Sequence, residues 1–230
     1  MLLRKWDDLP DYMKNEKVKT YYDELNKKKG QLFLKRVFDV VCSVILIILL
    51  SPVILFFSIW IKIDSKGPVF YRQERVTQYG KIFRIFKFRT MVVNADKMGA
   101  LVTTKNDSRI TKVGEKIRKY RVDEIPQLFN VLIGDMSFVG TRPEVKKYVD
   151  QYTDEMYATL LLPAGITSQA SIQFKDEDEI ISRYVNEERK VDEVYIEEVL
   201  PLKMKENLGA LKTFCFFKDI GVMINTVLKV

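Results

Sequence analysis

The chain has 230 residues, enough for one domain with a sizeable core, and its formal net charge is +7. It contains no histidine, which excludes Ser-His-Asp and Cys-His catalysis and the common zinc sites, so acid–base or covalent chemistry must rest mainly on carboxylates or lysines. The basic charge suits an anionic partner such as nucleic acid, an acidic membrane surface or a phosphorylated substrate.

The chain divides by composition into three parts: a polar lead-in over residues 1–34, a hydrophobic segment over 35–62 and a domain of mixed composition over 63–230. We interpret the lead-in as loosely held or amphipathic at a membrane surface. A surface helix of no special function is the alternative interpretation.

The hydrophobic segment is long enough to enter a membrane, because its apolar core would span roughly 37 Å as a helix. Ser51 and Pro52 lie near its middle, where proline removes a hydrogen bond and bends the helix. Both flanks are basic, and positive charge marks the cytoplasmic side of a membrane. These features predict a segment that enters and returns on one face, and they leave a proline-kinked single span open.

Residues 67–91 predict two short strands around a turn at Gly80, because apolar and polar residues alternate in part on both sides of it. The bases predicted on the polar face are Arg84, Lys87 and Arg89. These bases could belong to a functional site, and the alternative is that they only form the solvated face of an ordinary hairpin. The chain then turns helical, with Ile110, Val113, Ile117 and Tyr120 on one apolar face and Arg118 near it.

The stretch KYRVDEIPQLFN places Asp123 and Glu124 side by side behind a run of cations. Asp123 is a good helix cap, Pro126 suits a first turn, and the helix is predicted to end near Gly134. One interpretation is therefore a helix cap with an acidic neighbour. The other is a phosphate-handling site at a helix N-terminus, and the spacing alone leaves both open.

The order of these motifs resembles the monotopic phosphoglycosyl transferases, bacterial enzymes that begin polysaccharide and glycoconjugate assembly. The resemblance rests on an apolar segment interrupted at Ser-Pro, followed by GPVFYRQERV, KFRTM and RKYRVDEIPQLFNVLIGDMSFVGTRPE. It implies an α+β, mainly helical fold in a monotopic membrane protein, with an N-terminal re-entrant helix-break-helix and a small β-hairpin. It also implies the cytoplasmic face of the bacterial inner membrane and, because no further membrane segment is found, the minimal form of the family.

The resemblance implies transfer of a sugar-1-phosphate from a UDP-sugar to polyprenyl (undecaprenyl) phosphate, with release of UMP through a phospho-aspartate. Asp123 would be the nucleophile, and Glu124 a second catalytic residue that helps to hold Mg²⁺. The implied phosphate-binding residues are Arg118, Arg142, Lys87 and Arg89, and the implied membrane break is Ser51 and Pro52. The expected partners are the donor, the acceptor and inner-membrane lipid, with no nucleic acid; a homo-oligomer remains open.

Three features depart from the family pattern: Thr141 replaces a usual proline, Arg121 adds a positive charge beside the pair, and the usual continuation after residues 163–167 is missing. The last feature makes the identity of the sugar the least transferable inference. The competing interpretation is a non-enzymatic, membrane-anchored basic adaptor that binds anionic lipid or nucleic acid. It explains the anchor and the charge but gives no reason for the ordered motifs.

Overall fold

The computed structural model describes residues 3–95, 98, 107–175, 177–185 and 189–229. The α-helices in this part of the chain are α1 Glu16–Asn26, α2 Lys29–Asp64, α3 Lys112–Lys119, α4 Gln127–Ile133, α5 Lys146–Val149, α6 Gln169–Gln173, α7 Glu177–Tyr184, α8 Val191–Val194, α9 Leu200–Lys212 and α10 Phe216–Lys229. The strands are β1 Phe70–Tyr71, β2 Glu74–Val76, β3 Ile82–Arg84, β4 Lys87–Phe88, β5 Met136–Val139 and β6 Ala164–Thr167. The prediction of a mainly helical α+β fold is confirmed.

The predicted hairpin is present and consists of two antiparallel strand pairs. The inner pair is β2 with β3, in which Arg75 lies opposite Phe83, and the outer pair is β1 with β4, in which Tyr71 lies opposite Lys87. Gly80 lies in the turn between β2 and β3 and has a φ of +76°, a backbone conformation that favours glycine. A separate pair of parallel strands consists of β5 and β6. The loop that contains Arg142 follows β5 directly, and β6 comes later in the chain.

The interpretation of the N-terminal residues as a loosely held lead-in is wrong. Met13, Val18 and Leu25 are fully buried in the largest hydrophobic core, together with residues of α9 and of the 3₁₀ helix Met156–Leu161. Asn15 caps α1 by accepting a hydrogen bond from the backbone N–H of Val18 at 2.9 Å. The segment therefore belongs to the folded domain, because its apolar side chains face that core.

The hydrophobic segment forms one helix, α2, which is longer than predicted at both ends and remains helical through Pro52. Its most apolar 18-residue window has a mean hydropathy of 3.0, and only 6% of that window is buried within the protein. Its length and composition would allow it to cross a membrane. The predicted interruption at Ser51 and Pro52 does not divide the segment into two helices. Re-entry into the membrane stays a prediction.

Both ends of α2 pack against the rest of the chain. Near its start, Arg36 donates hydrogen bonds to the carbonyl oxygens of Val131 at 2.7 Å and Leu132 at 2.9 Å, at the end of α4. Near its end, Ile61 is buried in a cluster with Phe88 of the hairpin and with α3. The two ends are therefore held by one domain.

The helical segment after residue 108 is shorter than its apolar pattern predicts. Val113 and Ile117 are buried, as predicted, but α3 ends at Lys119 and Tyr120 is 66% exposed. Tyr120 therefore lies beyond the helix instead of on its apolar face. The next helix, α4, ends as predicted before Gly134, whose positive φ of 92° lets its backbone N–H close the last turn.

Candidate active site

A cavity of about 830 Å³ lies between the hairpin, the segment that joins α3 to α4, and helices α6, α7 and α9. Its walls include all of the predicted site residues of the catalytic domain: Lys87, Arg89, Arg118, Asp123, Glu124 and Arg142. These residues come from three separate motifs of the sequence, so the fold brings the motifs together around one space.

The Asp123–Glu124 pair lies in a 3₁₀ turn, Val122–Glu124, between the end of α3 and the start of α4. Arg121, the residue directly before this turn, has a left-handed backbone conformation with φ 51°, which non-glycine residues rarely adopt. The helix α4 begins only at Gln127, its cap position is occupied by a proline, and no side chain caps it. The helix-cap interpretation of Asp123 is therefore wrong.

Glu124 is held by two cations from different motifs. One of its carboxylate oxygens, Oε1, lies 2.9 Å from Lys87 Nζ and 2.7 Å from Arg142 Nη2. Burial raises the pKa of Glu124, but the charges and hydrogen bonds of Arg142 and Lys87 outweigh it and hold that pKa well below the ordinary glutamate value. Glu124 is therefore ionised at neutral pH and joins the hairpin to the Arg142 loop.

Asp123 is less firmly paired than its neighbour. Lys87 Nζ lies 3.8 Å from Asp123 Oδ2, beyond hydrogen-bond distance, and 13% of the Asp123 side chain is exposed in the cavity. Burial raises its pKa; Lys87 opposes that shift, and the adjacent charge of Glu124 adds to it. Among the described residues, no cation lies within hydrogen-bond distance of the Asp123 oxygens, whereas two cations hold Glu124.

The loop that presents Arg142 is fixed on both sides. Gly165 of β6 donates its backbone N–H to the carbonyl oxygen of Thr141 at 2.9 Å. Arg75 of the hairpin donates to the carbonyl oxygen of Pro143 at 3.1 Å. These bonds hold the residues on either side of Arg142 although Thr141 replaces the proline that usually stiffens such a loop.

Arg118 and Arg89 both line the cavity but differ in their partners. Arg118 lies in the last turn of α3, and its positive charge acts to lower the pKa of Asp123. Arg89 donates hydrogen bonds to the carbonyl oxygens of Ser65, at 2.7 Å, and Lys66. Arg89 thus joins the cavity wall to the end of α2, and its contact with phosphate stays a prediction.

A second buried network in the wall of the same cavity was not predicted from the sequence. Tyr195 donates a hydrogen bond to Glu144 at 2.5 Å, and Lys203 donates to Tyr195 at 3.1 Å and to Glu177 at 2.8 Å. Glu144 also lies 3.9 Å from Arg75. Two members had a signal in the sequence, because Glu144 directly follows the Thr-Arg-Pro motif and Arg75 belongs to the GPVFYRQERV motif. The sequence did not single out Glu177, Tyr195 and Lys203 as site residues.

Among the described residues, Lys87, Arg118 and Arg142 act electrostatically on the carboxylates of the pair, and Arg121 lines the same cavity. The excess of positive charge favours ligands with several negative charges, and the planar guanidinium groups suit phosphate oxygens. The cavity therefore has the composition of a site for phosphate esters.

The described residues contain no cluster of three or more aspartate, glutamate or cysteine side chains, so they form no complete protein cage for a metal ion. Mg²⁺ usually binds through one or two carboxylates together with substrate phosphates. Asp123 and Glu124 fit that arrangement. Lys87 and Arg142 both contact the same oxygen of Glu124, Oε1, and the Asp123 oxygens lie in the cavity wall, so the pair can offer carboxylate oxygens to an ion.

Comparison with known proteins gives consistent matches. The sequence is 45% identical over 144 residues to a UDP-N-acetylgalactosamine-undecaprenyl-phosphate N-acetylgalactosaminephosphotransferase of Aeromonas hydrophila, covering 61% of this chain and 34% of the relative. It is 41% identical over 156 residues to an undecaprenyl-phosphate galactose phosphotransferase of Salmonella typhimurium, covering 61% and 32%. It is 40% identical over 144 residues to a UDP-glucose:undecaprenyl-phosphate glucose-1-phosphate transferase of Klebsiella pneumoniae, covering 61% and 31%.

The chain thus spans about a third of the length of these three relatives. The sequence pattern of one family, described as bacterial sugar transferase, matches residues 30–230. This match includes α2, the hairpin, the Asp123–Glu124 turn and the Arg142 loop. The chain belongs to the bacterial sugar transferase family.

Proposed function

We propose that the protein transfers a sugar-1-phosphate from a UDP-sugar to undecaprenyl phosphate, releases UMP, and so performs the first membrane step in the assembly of a polysaccharide or glycoconjugate. The observation that supports this most strongly is the convergence of Asp123 and Glu124 with Lys87 and Arg142 in one cation-rich cavity. A membrane-anchored adaptor would need the positive charge but not this arrangement. The names of the relatives, which are undecaprenyl-phosphate sugar phosphotransferases, support the same reaction class.

The reaction proceeds in two displacements at phosphorus. In the first, an oxygen of Asp123 attacks the phosphorus bonded to the sugar, the bond from that phosphorus to the UMP oxygen breaks, and UMP leaves with the electron pair. In the second, an oxygen of the lipid phosphate attacks the same phosphorus, and the bond to Asp123 breaks to restore the carboxylate. Covalent catalysis of this kind replaces one difficult step by two easier ones.

Two separate displacements also reduce electrostatic repulsion. Donor and acceptor are both anionic at the reacting groups, and two unit charges 4 Å apart repel each other by about 4 kcal/mol at an effective dielectric constant of 20. Because the donor nucleotide leaves before the lipid attacks, the two phosphate groups need not meet at once. Arg118 and Arg142 stabilise the charge that develops on the transferred phosphate, as preorganised donors do in other phosphoryl transfers.

Glu124 positions the cations around the nucleophile. Its carboxylate contacts both Lys87 and Arg142, so it fixes one cation from the hairpin and one from the loop on the same side of the cavity. Lys87 in turn lies 3.8 Å from Asp123 and favours the ionised, nucleophilic form of that carboxylate.

Asp123 and Glu124 would hold Mg²⁺ together with the donor pyrophosphate, and the ion would supply charge neutralisation on the phosphate oxygens. We expect release of UMP to stop when EDTA is added and to return when excess Mg²⁺ is supplied. The measurement is the initial rate of UMP release, with an equimolar Mg–EDTA complex as the control for effects of the chelator itself. Full activity of metal-stripped enzyme would remove Mg²⁺ from the mechanism.

The proposed reaction is tested by incubating the purified protein in detergent or nanodiscs with a panel of UDP-sugars and undecaprenyl phosphate. We expect UMP and a lipid-linked sugar pyrophosphate to form in equal amounts with at least one donor. Formation of free sugar phosphate instead of the lipid product would indicate a hydrolase. Absence of UMP release with every donor in the panel, from folded protein, would refute the proposal.

We infer that the catalytic domain lies on the cytoplasmic face of the inner membrane and that α2 enters the membrane and returns to the same face. The packing of both ends of α2 against one domain supports this, as do the basic flanks of the helix. Apolar side chains in the middle of the helix are exposed, with Ile48 67% and Leu49 66% accessible, so apolar surface is available to lipid there.

Cysteine labelling tests this topology. The two native cysteines, Cys42 and Cys215, are replaced by serine, and single cysteines are introduced as Gly30→Cys, where a Cβ meets no atom within 4 Å, and Ile63→Cys, which is 79% exposed. In intact cells both positions should be protected from a membrane-impermeant maleimide and should react after lysis. Labelling of one position but not the other in intact cells would establish a single crossing.

A further inference from the structure

The walls of the cavity differ in charge. Around the Asp123–Glu124 pair, cations exceed carboxylates, as described above. The wall formed by the network of Arg75, Glu144, Glu177 and Lys203 contains two carboxylates and two cations, all of them cavity residues. Among the described residues these charges are equal in number, but the wall is not isolated from the first one: Arg142 and Arg121 lie close enough to lower the pKa of Glu177, and the exposed Lys175 lies beside it.

The network itself has little attraction for the phosphates of the donor, because its cations, Arg75 and Lys203, already face Glu144 and Glu177. Its polar groups suit an uncharged ligand with many hydroxyls instead, since a carboxylate accepts hydrogen bonds from hydroxyl groups. Ser171 and Phe174 border the same part of the cavity, and they add a hydroxyl group and an aromatic face. UDP-sugars contain two such uncharged parts, the transferred sugar and the ribose of the nucleotide.

Within this wall, Glu177 is the carboxylate available to a ligand. Glu144 has a side chain that is only 5% exposed, and Tyr195 occupies one of its oxygens. The side chain of Glu177 is 26% exposed, and Lys203, itself 4% exposed, holds its Oε2 at 2.8 Å. The ion pair fixes the carboxylate at the cavity surface, because the buried ammonium group has little freedom to move.

We propose that Glu177, positioned by Lys203, is a donor-recognition residue that accepts hydrogen bonds from hydroxyl groups of the transferred sugar or of the ribose. This inference rests on the proposed function, and it adds a subsite to the phosphate-binding side of the cavity. It also places donor recognition in the part of the sequence, after residue 167, where the chain departs from the family pattern.

The test compares the wild-type protein with Glu177→Gln, which keeps the size of the side chain and removes its charge. The measured quantities are kcat/KM for UDP-glucose, UDP-galactose, UDP-N-acetylglucosamine and UDP-N-acetylgalactosamine, and the inhibition constant of UMP. The matched control is Glu197→Gln, because Glu197 also pairs with a cation, Arg189 at 2.7 Å, but lies outside the cavity and is 62% exposed. Thermal denaturation checks that both variants are folded.

If Glu177 binds the transferred sugar, the ratio of kcat/KM between two of these donors should change by roughly tenfold or more, with the inhibition constant of UMP unchanged. If it binds the ribose, UMP inhibition should weaken and all donors should lose kcat/KM equally. A folded variant in which neither the ratios nor UMP inhibition change would overturn the proposal. A wild-type protein that releases no UMP from any donor would instead refute the proposed function itself.

A second variant, Glu177→Asp, separates recognition from simple ion pairing. It keeps a negative charge for Lys203 but withdraws the carboxylate by one methylene group. If Glu177 recognises the donor, this variant should also change the sugar ratios or UMP inhibition. Wild-type values for Glu177→Asp, with altered values only for Glu177→Gln, would reduce Glu177 to a structural partner of Lys203 and overturn the proposal.

Discussion

Replacing Asp123 by asparagine is expected to reduce turnover by roughly four orders of magnitude or more, which is the scale seen when the nucleophile of a covalent mechanism is removed. The amide has no negatively charged oxygen to attack phosphorus, and no histidine is present in the chain to activate a substitute. Arg118, Arg142 and Lys87 would remain in place. The loss should therefore appear in kcat, with a smaller effect on donor binding.

The fold should tolerate this change. Asp123 makes no side-chain cap to α4, and Lys87 keeps its closer contact with Glu124 when Asp123 is replaced. We therefore expect the midpoint of thermal unfolding to stay close to that of the wild-type protein. The matched control is Asp150→Asn, which breaks a surface ion pair with Lys146 and should leave both activity and stability unchanged.

The decisive measurement omits the lipid acceptor. Wild-type protein mixed with UDP-sugar alone should release at most one UMP per active site and retain the sugar phosphate covalently, detectable as a mass increase of the intact protein. The Asp123→Asn variant should release no UMP in this burst and gain no mass. Near-normal turnover of a pure Asp123→Asn protein would falsify the assignment of the nucleophile.

Replacing Glu124 by glutamine is expected to be the second most severe change, because it affects stability as well as turnover. The substitution leaves Lys87 and Arg142 facing each other across a neutral amide. Each of the two hydrogen bonds should weaken by about 1 kcal/mol, because a hydrogen bond to a charged group contributes about 2 kcal/mol and one between neutral groups about 1 kcal/mol. Both cations would move from their positions around Asp123. We expect turnover to fall by roughly a hundredfold or more and the free energy of unfolding to decrease by about 2 kcal/mol.

These two effects are measured by steady-state UMP release and by chemical denaturation at neutral pH. The matched control is Glu115→Gln, an exposed glutamate in the first turn of α3 outside the cavity. Wild-type stability together with wild-type turnover in Glu124→Gln would show that the ion pairs of Glu124 are dispensable for both.

The same variant should alter the response to acid. Because the pKa of Glu124 is lowered on folding, its ionised form stabilises the folded protein above the ordinary glutamate pKa of about 4.3, and this contribution is lost as the pH falls towards the folded-state value. Glu124→Gln lacks this contribution at every pH. The difference in stability between wild type and variant should therefore be largest near neutral pH and shrink between about pH 4 and the acid limit of folding.

The sequence was sufficient to identify residues that the fold brings together in one cavity. Lys87, Arg118, the Asp123–Glu124 pair and Arg142 were all identified because their motifs are short, contiguous and in a recognisable order, and they meet in one cavity. The hairpin was likewise predictable, because alternation around Gly80 is a local pattern with a local physical cause. Local patterns are accessible without the fold because neighbouring residues in the chain are also neighbours in space.

Other features depended on contacts between residues far apart in the chain. The burial of Met13 and Leu25 was not predictable, because their short amphipathic segment looks the same whether it faces lipid, water or a core that includes residues of α9 and of the 3₁₀ helix Met156–Leu161. The start of α4 at Gln127, which leaves Asp123 without a capping role, depends on the 3₁₀ turn that Arg121 begins in a left-handed conformation.

The pairing of Glu177 with Lys203, 26 positions apart, has the same origin. Neither residue belongs to a motif, and a glutamate and a lysine at such a separation are ordinary surface residues unless the fold buries them together. The chemical groups that can react were therefore readable from the chain. Three properties depend on how α3, α7 and α9 pack around the hairpin: which carboxylates are paired, which carboxylate faces the cavity, and which wall has excess charge. Burial and Coulomb interactions are set by distances in the folded protein, so the sequence alone does not give them.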